Sequence, residues 1–344
     1  MHKSSILILG LFESKTAKIN IRTAEDRVAE MFRKNNVHVI TASHASGRIK
    51  RLSDSIYAVI KYRKQYNVAI IPLFGTWPSF LWQEVVTRFL KALNKKIVLG
   101  IHGGSIPGRI NKGSQRFYKA LKRADRLVAP SAYFQLFFQQ KNFEVLVIEN
   151  PLDLSAYHFM QKKKIRPRII WMRAFTEIYN PAMALRVAAR MAERFHDFEM
   201  VMAGKDGPLR NEMIRITESS GLKDKVIFPG YISMQQKLEM AAEYDIYICT
   251  NKTDNAPVSV IEFMSLGLPV VAVNTGGIPF IVNDTETGLL VDDDDDKAMF
   301  EKICLLIENE NIAQSIITNA YQYAKQYDEA NVMRKWNTVL DELK

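Results

Sequence analysis

Two carboxylates stand in an otherwise apolar stretch of the chain, "DNAPVSVIEFMSLGLPVVAVNTGGIP" at residues 254–279. From Ala256 to Val273 the single charged side chain is Glu262, and Asp254 precedes it by eight residues. An ionised carboxylate is costly to bury unless polar groups satisfy it. Glu262 therefore needs hydrogen-bond donors, which either a vicinal diol of a ligand or a cation in the core would supply.

A helix is predicted around these acids, at about 257–266, because a proline suits its first turn and a Gly-x-Pro sequence ends it. The unpaired N–H groups near Val258–Val260 and the positive end of the helix dipole favour an anion such as phosphate. Two interpretations stay open from the residue types alone. One is a diol and phosphate site for a nucleotide-linked ligand; the other is a core ion pair at Glu262, with Asp254 as a helix cap.

The composition indicates a globular protein of two domains. The chain has 344 residues, of which 47% are hydrophobic. Cys249 and Cys304 lie in apolar stretches, which indicates a reducing compartment and argues against a disulfide framework or a metal site. The apolar run at 6–12 is too short to span a membrane and lacks a signal-peptide cleavage pattern, so we expect a soluble, cytoplasmic chain.

The net charge of +10 is unevenly distributed. Residues 1–150 carry 25 Lys and Arg against 9 Asp and Glu, whereas residues 151–344 carry 22 against 28. A basic half joined to a mildly acidic half suggests that the first domain meets an anionic surface or ligand. General lysine enrichment is the alternative. The basic half contains no nucleic-acid-reading motif, so we expect no nucleic-acid partner.

Short apolar runs alternate with helical patterns along the whole chain, which indicates parallel sheets covered on both faces. The predicted strands lie at 4–10, 37–43, 68–74, 96–102, 126–131, 169–175, 198–204, 226–230, 244–250, 269–273 and 288–291. We therefore expect an α/β protein of two doubly wound, Rossmann-like domains, 1–155 and 168–328, facing each other across a ligand-binding cleft. A charged linker, 156–167, joins them. The last helix, 329–344, falls outside the alternation and is expected to return to the first domain.

The stretch from Asp254 to Val291 resembles the signature region of glycosyltransferase family 4, whose pattern is Glu, seven residues, Glu, a small-residue helix, Gly-x-Pro-Val-Val and a Gly-Gly loop. Further segments fit the family in order along nearly the full length: "GIHGGS", "LVAPSAY", "VIENPLD", "IIWMRAF", "VMAGKDGP" and "VIFPGYI". The resemblance implies the two-domain GT-B fold and a retaining, nucleotide-sugar-dependent transferase.

The resemblance also implies roles for individual residues. Asp254 and His102 are expected to contact the transferred sugar and Glu262 the donor ribose, although a strand-end histidine taken alone is more often structural. The residues expected to bind the donor are Gly10, Arg173, Lys205, Gly230, Tyr231, Asn255, Val258, Ser259 and Glu262.

Three departures from the family pattern stand out. Asp254 is one methylene shorter than the usual Glu. The second phosphate-binding cation, usually a Lys five or six residues after the Arg, is absent, because Ile178 and Tyr179 occupy those positions; Lys205 is its expected substitute. The N-terminal glycine-rich loop keeps only Gly10, and "LFESKTAK" replaces the other glycines of the family pattern.

The expected reaction is transfer of a hexose from a UDP- or GDP-linked sugar to a glycan hydroxyl, with no divalent metal or other cofactor. The expected acceptor is a polyprenyl-diphosphate-linked oligosaccharide in bacterial surface polysaccharide synthesis. Two alternatives stay open. One is another GT-B enzyme, such as a sugar-nucleotide epimerase or a phosphorylase; the other is a non-catalytic GT-B protein that binds a membrane or a partner.

Two surface features could contact a membrane or an anionic ligand, and one acidic run could be taken for a metal site. The helix predicted at 79–93 aligns Leu81, Val85, Phe89 and Leu93, a face that either packs on the first sheet or enters a membrane surface with Trp77 and Trp82 as anchors. A basic helical face is formed by Lys112, Arg116, Lys119, Lys122, Arg123 and Arg126, and it suits acidic headgroups, a diphosphate or solvent. The five aspartates at 292–296 precede a helix, where caps are expected in preference to a metal site.

Overall fold

The computed structural model describes residues 5–10, 12, 23–43, 47–73, 75, 77–102, 106–111 and 115–344, with the backbone alone at Trp77 and Pro78. Most of the predicted thin loop after Gly10 lies outside the described residues, as do Gly103, Gly104 and Lys112. The chain forms two compact units. Unit 1 comprises Met1–Leu152 and Tyr327–Lys344, and unit 2 comprises Asp153–Gln326.

Unit 1 contains a parallel sheet of six described strands. They are β1 (Ser5–Leu9), β2 (Val39–Ala42), β3 (Tyr66–Leu73), β4 (Lys96–Ile101), β5 (Arg126–Ala129) and β6 (Leu146–Val147). Their order is β2-β1-β3-β4-β5-β6. The helices between them are α1 (Ala24–Lys34), α2 (Arg48–Lys61), α3 (Trp77–Ala92), α4 (Ile106–Asn111), α5 (Gln115–Leu121) and α6 (Ala132–Gln139). Both faces of the sheet are covered by apolar clusters, which is why its strands read as continuous apolar runs.

Unit 2 repeats this architecture. Its strands are β7 (Arg168–Met172), β8 (Glu199–Ala203), β9 (Val226–Gly230), β10 (Ile246–Cys249), β11 (Val270–Val273) and β12 (Leu289–Val291), in the order β12-β11-β10-β7-β8-β9. Its helices are α7 (Pro181–Arg194), α8 (Arg210–Ser219), α9 (Met234–Glu243), α10 (Val258–Ser265), α11 (Asp296–Glu308) and α12 (Glu310–Ala324). The order reverses beside β7, so the strand ends of β7 and β10 meet at the switch point where such sheets bind ligands.

Short 3₁₀ helices complete the described secondary structure. They are Leu154–Ala156, Glu177–Tyr179, Ile278–Phe280 and Lys325–Tyr327. Within the aspartate run, Asp295 caps α11 by accepting a hydrogen bond from the backbone N–H of Ala298 (2.8 Å). The aspartates therefore begin a helix, as predicted.

The final helix, α13 (Glu329–Asp341), belongs to unit 1. It buries Val332, Met333, Trp336 and Val339 in the cluster that covers one face of the unit 1 sheet. The indole of Trp336 meets the ring of Phe32 edge to face, with centroids 5.6 Å apart. The expected return of the last helix to the first domain is confirmed.

The segment predicted as a charged linker, 156–167, lies against unit 2. Its cations neutralise a buried acid: Arg166 donates two hydrogen bonds from its side chain to Asp245 (2.8 and 2.9 Å), and Lys162 Nζ lies 3.3 Å from the same carboxylate. Asp245 is fully buried. Burial raises its pKa, but the hydrogen bonds from Arg166 and the charge of Lys162 lower it more, so the pKa of Asp245 lies below its usual value.

Helix α3 turns a different face to the sheet from the one its apolar stripe suggests. Its buried side chains are Phe80, Gln83, Glu84, Val86, Thr87 and Leu90. Leu81 and Phe89 of the predicted face are 39% and 40% exposed. Trp82 is partly buried against the unit 1 core and donates from Nε1 to Ser55 Oγ (3.1 Å), which removes it from the candidate membrane anchors. Arg123 does not add a free charge to the predicted basic face, because its Nη2 lies 3.6 Å from Glu84 Oε1.

No helix among the described residues has the length and apolarity needed to cross a bilayer. No group of three or more His, Cys, Asp or Glu side chains there could hold a metal ion. Cys249 and Cys304 are both buried free thiols.

We predict that the Asp245 carboxylate makes unit 2 sensitive to acid. Because its pKa is depressed in the folded state, its stabilising contribution is complete above its unfolded pKa of about 3.9 and is lost as the pH falls through the folded pKa. The free energy of unfolding, measured by urea titration from pH 6 to pH 2, should fall more steeply in the wild type than in Asp245→Asn. Parallel slopes would contradict the assignment.

Candidate active site

An ion pair joins the ends of two central strands of unit 2. Arg173 directly follows β7, and Asp254 lies in the loop after β10. The guanidinium Nη2 donates to Asp254 Oδ2 at 2.9 Å, and both side chains are mostly buried. Burial lowers the pKa of Arg173, but the Asp254 carboxylate, together with Tyr247, Cys249 and Tyr179, raises it further, so the guanidinium remains charged. Two residues predicted to contact different parts of a donor therefore contact each other.

Asp254 is held by two further hydrogen bonds. Its Oδ2 accepts from the side-chain amide of Asn251 (3.0 Å), and its Oδ1 accepts from the backbone N–H of Asn255 (2.7 Å). No side-chain hydrogen bond caps α10, whose N-terminal flanking residue is Pro257. The alternative that Asp254 caps this helix is therefore wrong, and the carboxylate faces Arg173 instead.

Tyr179 occupies one of the two positions where the family resemblance leads us to expect a second cation. Its ring lies under the Arg173 guanidinium, with the Cζ atom 5.2 Å from the ring centroid. Its backbone carbonyl accepts a hydrogen bond from Thr250 Oγ1 (2.7 Å), and Thr250 in turn accepts from the indole N–H of Trp171 (2.8 Å). Tyr179 adds no charge, but it stacks on Arg173 and limits where the guanidinium can move.

Glycines allow two loops to approach these residues closely. A Cβ atom at Gly204 would lie 1.9 Å from the backbone oxygen of Arg173. A Cβ atom at Gly277 would lie 1.8 Å from the backbone oxygen of Asn255, and Gly277 N–H donates to the Asp254 carbonyl at 2.7 Å. Only glycine fits at either position without moving the backbone. This explains why the sequence has glycine in the loop after β11.

The other predicted donor-binding residues of unit 2 lie at the same sheet edge, after β8 and β9. Lys205 follows β8 with an exposed side chain, and its carbonyl accepts from the N–H of Phe175 (3.3 Å). Gly230 ends β9 with φ +80°, and its carbonyl accepts from the N–H of Gly204 (2.8 Å). Tyr231, the next residue, is 43% exposed.

Helix α10 offers backbone rather than side-chain donors at its start. Ser259 is buried and its hydroxyl is hydrogen-bonded to that of Tyr247 (2.8 Å), so the side chain points into the core. Val258 and Ser259 thus have their first-turn N–H groups as the means of binding an anion.

Glu262 is buried and bonded at both oxygens. Oε1 accepts from the hydroxyl of Tyr157 (2.9 Å), and Oε2 accepts from Lys237 Nζ (2.6 Å). Lys237 is itself largely buried and lies 6.0 Å from the centroid of the Tyr157 ring. Of the two interpretations of Glu262, the structure contains the core ion pair.

Two predicted residues, Gly10 and His102, belong to unit 1. Gly10 directly follows β1, and a Cβ atom there would lie 2.8 Å from Glu25 Cγ. His102 follows β4, with Nε2 4.0 Å from Glu25 Oε1. Glu25 therefore lies beside both residues, at the carboxyl edge of the unit 1 sheet.

Sequence reasoning missed Lys237, Tyr157 and Glu25. Lys237 follows a capping box, Ser233 with Gln236, that marks the start of α9, but nothing in that helix marks one lysine as buried. Tyr157 stands at the start of the segment predicted as a linker. The single usable signal was Glu262 itself, because a lone carboxylate in an apolar helix requires a partner.

Part of the chain matches a known family. Residues 158–323 match the sequence profile described as "Glycosyl transferases group 1". A curated relative, the GalNAc-α-(1→4)-GalNAc-α-(1→3)-diNAcBac-PP-undecaprenol α-1,4-N-acetyl-D-galactosaminyltransferase of Campylobacter jejuni, is 28% identical over 169 residues. That match covers 48% of this chain and 45% of the relative, so the chain spans about half the length of the curated relative.

Two solved structures share the fold over nearly the whole chain. Sucrose-phosphate synthase from Thermosynechococcus elongatus aligns with a TM-score of 0.78 and 15% identity, covering 99% of each chain. HepE of Anabaena, solved in complex with UDP, aligns with a TM-score of 0.74 and 15% identity, covering 98% of this chain and 100% of its own. At these identities the likeness establishes the fold.

The Glu262–Lys237 pair yields a stability prediction. Lys237→Met leaves a buried carboxylate without its counter-ion, which typically costs about 3–5 kcal/mol. Urea unfolding should show that loss, and Glu262→Gln in the same chain should recover part of it. The matched control is Lys297→Met, whose exposed pair with Glu301 (3.9 Å) should contribute about 0.5 kcal/mol or less. Equal effects of the two lysine substitutions would contradict the buried pair.

In unit 2, the motifs quoted from the sequence fall at the ends of the strands where the sheet order changes direction. The residues that resemble the family's donor site in unit 2 lie along one sheet edge and at the start of α10. The chain has the GT-B fold, and its residues 158–323 match the glycosyl transferases group 1 profile.

Proposed function

We propose that the protein transfers a hexose from a nucleoside diphosphate sugar to a hydroxyl of a glycan acceptor, with retention of the anomeric configuration. The observation that carries the proposal is the Arg173–Asp254 pair at the switch point of the unit 2 sheet, within the group 1 domain. A fixed cation there suits a diphosphate, and a fixed carboxylate beside it suits sugar hydroxyls.

Arg173 would hold the leaving diphosphate. A guanidinium has five N–H donors, and Asp254 accepts from one of them. The uncapped N–H groups at the start of α10 and the exposed Lys205 add positive potential at the same edge. As the bond between the anomeric carbon and the phosphate oxygen breaks, these groups stabilise the charge that develops on the diphosphate.

The same groups remove the need for a divalent metal in this proposal. The anomeric carbon bonds to the acceptor oxygen, and the acceptor proton passes to the departing diphosphate. The nucleotide is a uridine or guanosine diphosphate, with Gly230 and Tyr231 beside the base.

Glu262 would bind the donor ribose. The Tyr157 and Lys237 hydrogen bonds fix the carboxylate in one orientation, so a ribose diol would meet a preorganised acceptor. Asp254 and Asn255 would lie on the sugar side, because they are tied to Arg173 and to the Gly276–Gly277 loop. His102 of unit 1 would contact the transferred sugar.

The acceptor in this proposal is a polyprenyl-diphosphate-linked oligosaccharide of bacterial surface polysaccharide synthesis. The Campylobacter relative is named for an undecaprenol-diphosphate-linked acceptor. The excess of Lys and Arg in residues 1–150 suits a diphosphate-linked substrate and an anionic surface around it.

We also propose that unit 1 touches the inner face of the membrane. Helices α2 and α3 are in contact, and together they expose Ile49, Tyr57, Ile60, Leu81 and Phe89. Exposed basic residues flank this apolar patch: Arg48, Lys50, Lys61, Arg63 and Lys64. Exposed apolar side chains among cations are the composition of a surface that inserts shallowly into anionic lipid.

The catalytic proposal predicts the effect of removing two side chains. Arg173→Ala should lower the rate of sugar transfer by about 10²–10³-fold, because it removes one electrostatic contact to the leaving group. Glu262→Gln should raise the donor KM with a smaller effect on kcat, because a ribose contact binds ground and transition states alike. Nucleotide release and acceptor lengthening are followed with a panel of UDP- and GDP-sugars.

Arg194→Ala is the matched control, since its pair with Glu308 is exposed and lies away from the sheet edge. Product analysis separates the alternatives: an epimerase returns an altered nucleotide sugar, and a phosphorylase consumes phosphate. Unchanged transfer in both Arg173→Ala and Glu262→Gln would refute the site.

The membrane proposal predicts co-sedimentation with vesicles that contain anionic lipid and none with neutral vesicles. Leu81→Ser with Phe89→Ser should reduce the bound fraction at every salt concentration, because apolar contact is lost. Lys50→Gln with Lys64→Gln should reduce it mainly at low salt, by about fivefold per charge removed. Equal sedimentation with neutral and anionic vesicles would contradict the proposal.

A further inference from the structure

One oxygen of the Asp254 carboxylate accepts two hydrogen bonds. Oδ2 lies 2.9 Å from Arg173 Nη2 and 3.0 Å from Asn251 Nδ2. The other oxygen, Oδ1, accepts from the backbone N–H of Asn255 (2.7 Å). The two groups that bond to Oδ2 differ in charge, since one is a guanidinium and the other is a neutral amide. Only the guanidinium has a second task in the proposed function, because Arg173 also holds the diphosphate of the nucleotide sugar.

A bound diphosphate would compete with Asp254 for Arg173. A diphosphate carries more negative charge than a carboxylate, and both groups suit the planar fork of a guanidinium. Any share of Arg173 that the diphosphate takes is lost to the Asp254 carboxylate. The Asn251 amide carries no charge, so the phosphates attract it far less and its N–H stays on Oδ2. Asn251 is therefore the side chain that still holds this oxygen when the nucleotide sugar is bound.

The backbone around Asn251 is held by contacts that do not involve its side chain. Thr275 Oγ1 donates a hydrogen bond to the Asn251 carbonyl (2.7 Å). The N–H of the next residue, Lys252, donates to the carbonyl of Ile178 (2.9 Å). The conformation of this loop thus has supports other than the side-chain amide, and a purely structural role does not explain why an amide stands at position 251.

The amide also lowers the stability of the fold at one of its atoms. Asn251 is 0% exposed, and its Oδ1 is buried without a hydrogen-bond partner among the described residues. A buried polar atom without a partner is destabilising, and such atoms are uncommon in native proteins. An apolar side chain would avoid this cost. Within the described part of the chain, the amide bonds to Asp254 alone, so that carboxylate is the reason the structure offers for an asparagine here.

We propose that Asn251 is a positioning residue, which keeps the Asp254 carboxylate directed at the transferred sugar while Arg173 binds the diphosphate. The inference rests on the proposed function and extends it to a residue that does not itself touch the substrate. Without the amide, Arg173 would have to hold the carboxylate and the diphosphate together. The loss should therefore fall on the rate of sugar transfer and not on the binding of the nucleotide, which lacks the sugar.

The first test is Asn251→Ala in the full chain. Transfer is measured with the nucleotide sugar that the wild type uses, and the Kd of the corresponding nucleoside diphosphate is measured by calorimetric titration. We expect kcat to fall about 10-fold or more, because a hydrogen bond to a charged group is lost, while the nucleotide Kd stays within about twofold. In an Asp254→Asn chain the same substitution should lower kcat no further, because the carboxylate that it holds is absent.

Asn309→Ala is the matched control for loss of stability. Asn309, between α11 and α12, caps α12 by accepting a hydrogen bond from the N–H of Ile312 (3.1 Å). Loss of this cap should lower the midpoint of urea unfolding and leave kcat unchanged. The control shows whether a less stable chain by itself transfers sugar more slowly.

Asn251→Asp is a second variant, which keeps the size of the side chain and places a second carboxylate beside Asp254. At pH 7.5 it should lower kcat at least as much as Asn251→Ala does, because the two like charges repel. Its kcat relative to the wild type should rise as the pH is lowered toward 5, because two adjacent carboxylates then share a proton and one of them can donate again.

Three results would overturn the inference. They are a kcat of Asn251→Ala within about twofold of the wild type, an equal loss of kcat in the Asp254→Asn chain, and a relative kcat of Asn251→Asp that does not change with pH. A wild type that transfers no sugar from any nucleotide sugar refutes the proposed function, and the inference with it.

Discussion

The ion pair between Arg173 and Asp254 is the interaction around which the candidate site of unit 2 is arranged. It joins the carboxyl ends of β7 and β10, the neighbouring strands at which the sheet order changes direction. A cation and an anion that are mostly removed from water are costly unless each is well satisfied. Here Asn251 and the Asn255 N–H complete the carboxylate, and Tyr179 covers the guanidinium.

Two loops pack their backbone closely against the segments that hold this ion pair. The loops after β8 and β11 can cover the strand ends only where no Cβ intervenes, which accounts for glycine at positions 204 and 277. Gly276 and Gly277 lie against the backbone of Asp254 and Asn255, just before the start of α10. Asp254, the shorter acid, is therefore held by hydrogen bonds from Arg173, from the Asn251 amide and from the Asn255 N–H. The Arg173 guanidinium still has N–H donors for a ligand. A ligand anion would share Arg173 with Asp254.

Glu262 illustrates a different constraint. It sits in the second turn of an apolar helix, and its charge is balanced by Lys237 from α9 and by the Tyr157 hydroxyl. Fixing a carboxylate in this way costs desolvation of two charges, but it leaves the group with one orientation. A ligand hydroxyl then meets an acceptor that needs no reorganisation, which is the advantage of preorganised binding groups.

The sequence predicted the parts of the structure that depend on local pattern. Continuous apolar runs located every described strand of unit 2, and the proline and glycine punctuation placed α10 within a residue of each end. Contacts between distant residues were beyond such patterns. Tyr157 and Lys237 lie 105 and 25 residues from Glu262, and nothing in their own segments marks them. For α3, the apolar stripe did not identify the buried face, because Gln83 and Thr87 face the core while Leu81 and Phe89 do not.

The most direct test of the central claim is a crystal structure of the protein with UDP or GDP bound. The claim is that Arg173, at the edge of the unit 2 sheet, binds the donor diphosphate. A phosphate oxygen should lie at hydrogen-bond distance, about 2.7–3.2 Å, from an Arg173 guanidinium nitrogen, with a ribose hydroxyl against Glu262. A nucleotide bound elsewhere, with no phosphate contact to Arg173, would contradict the claim.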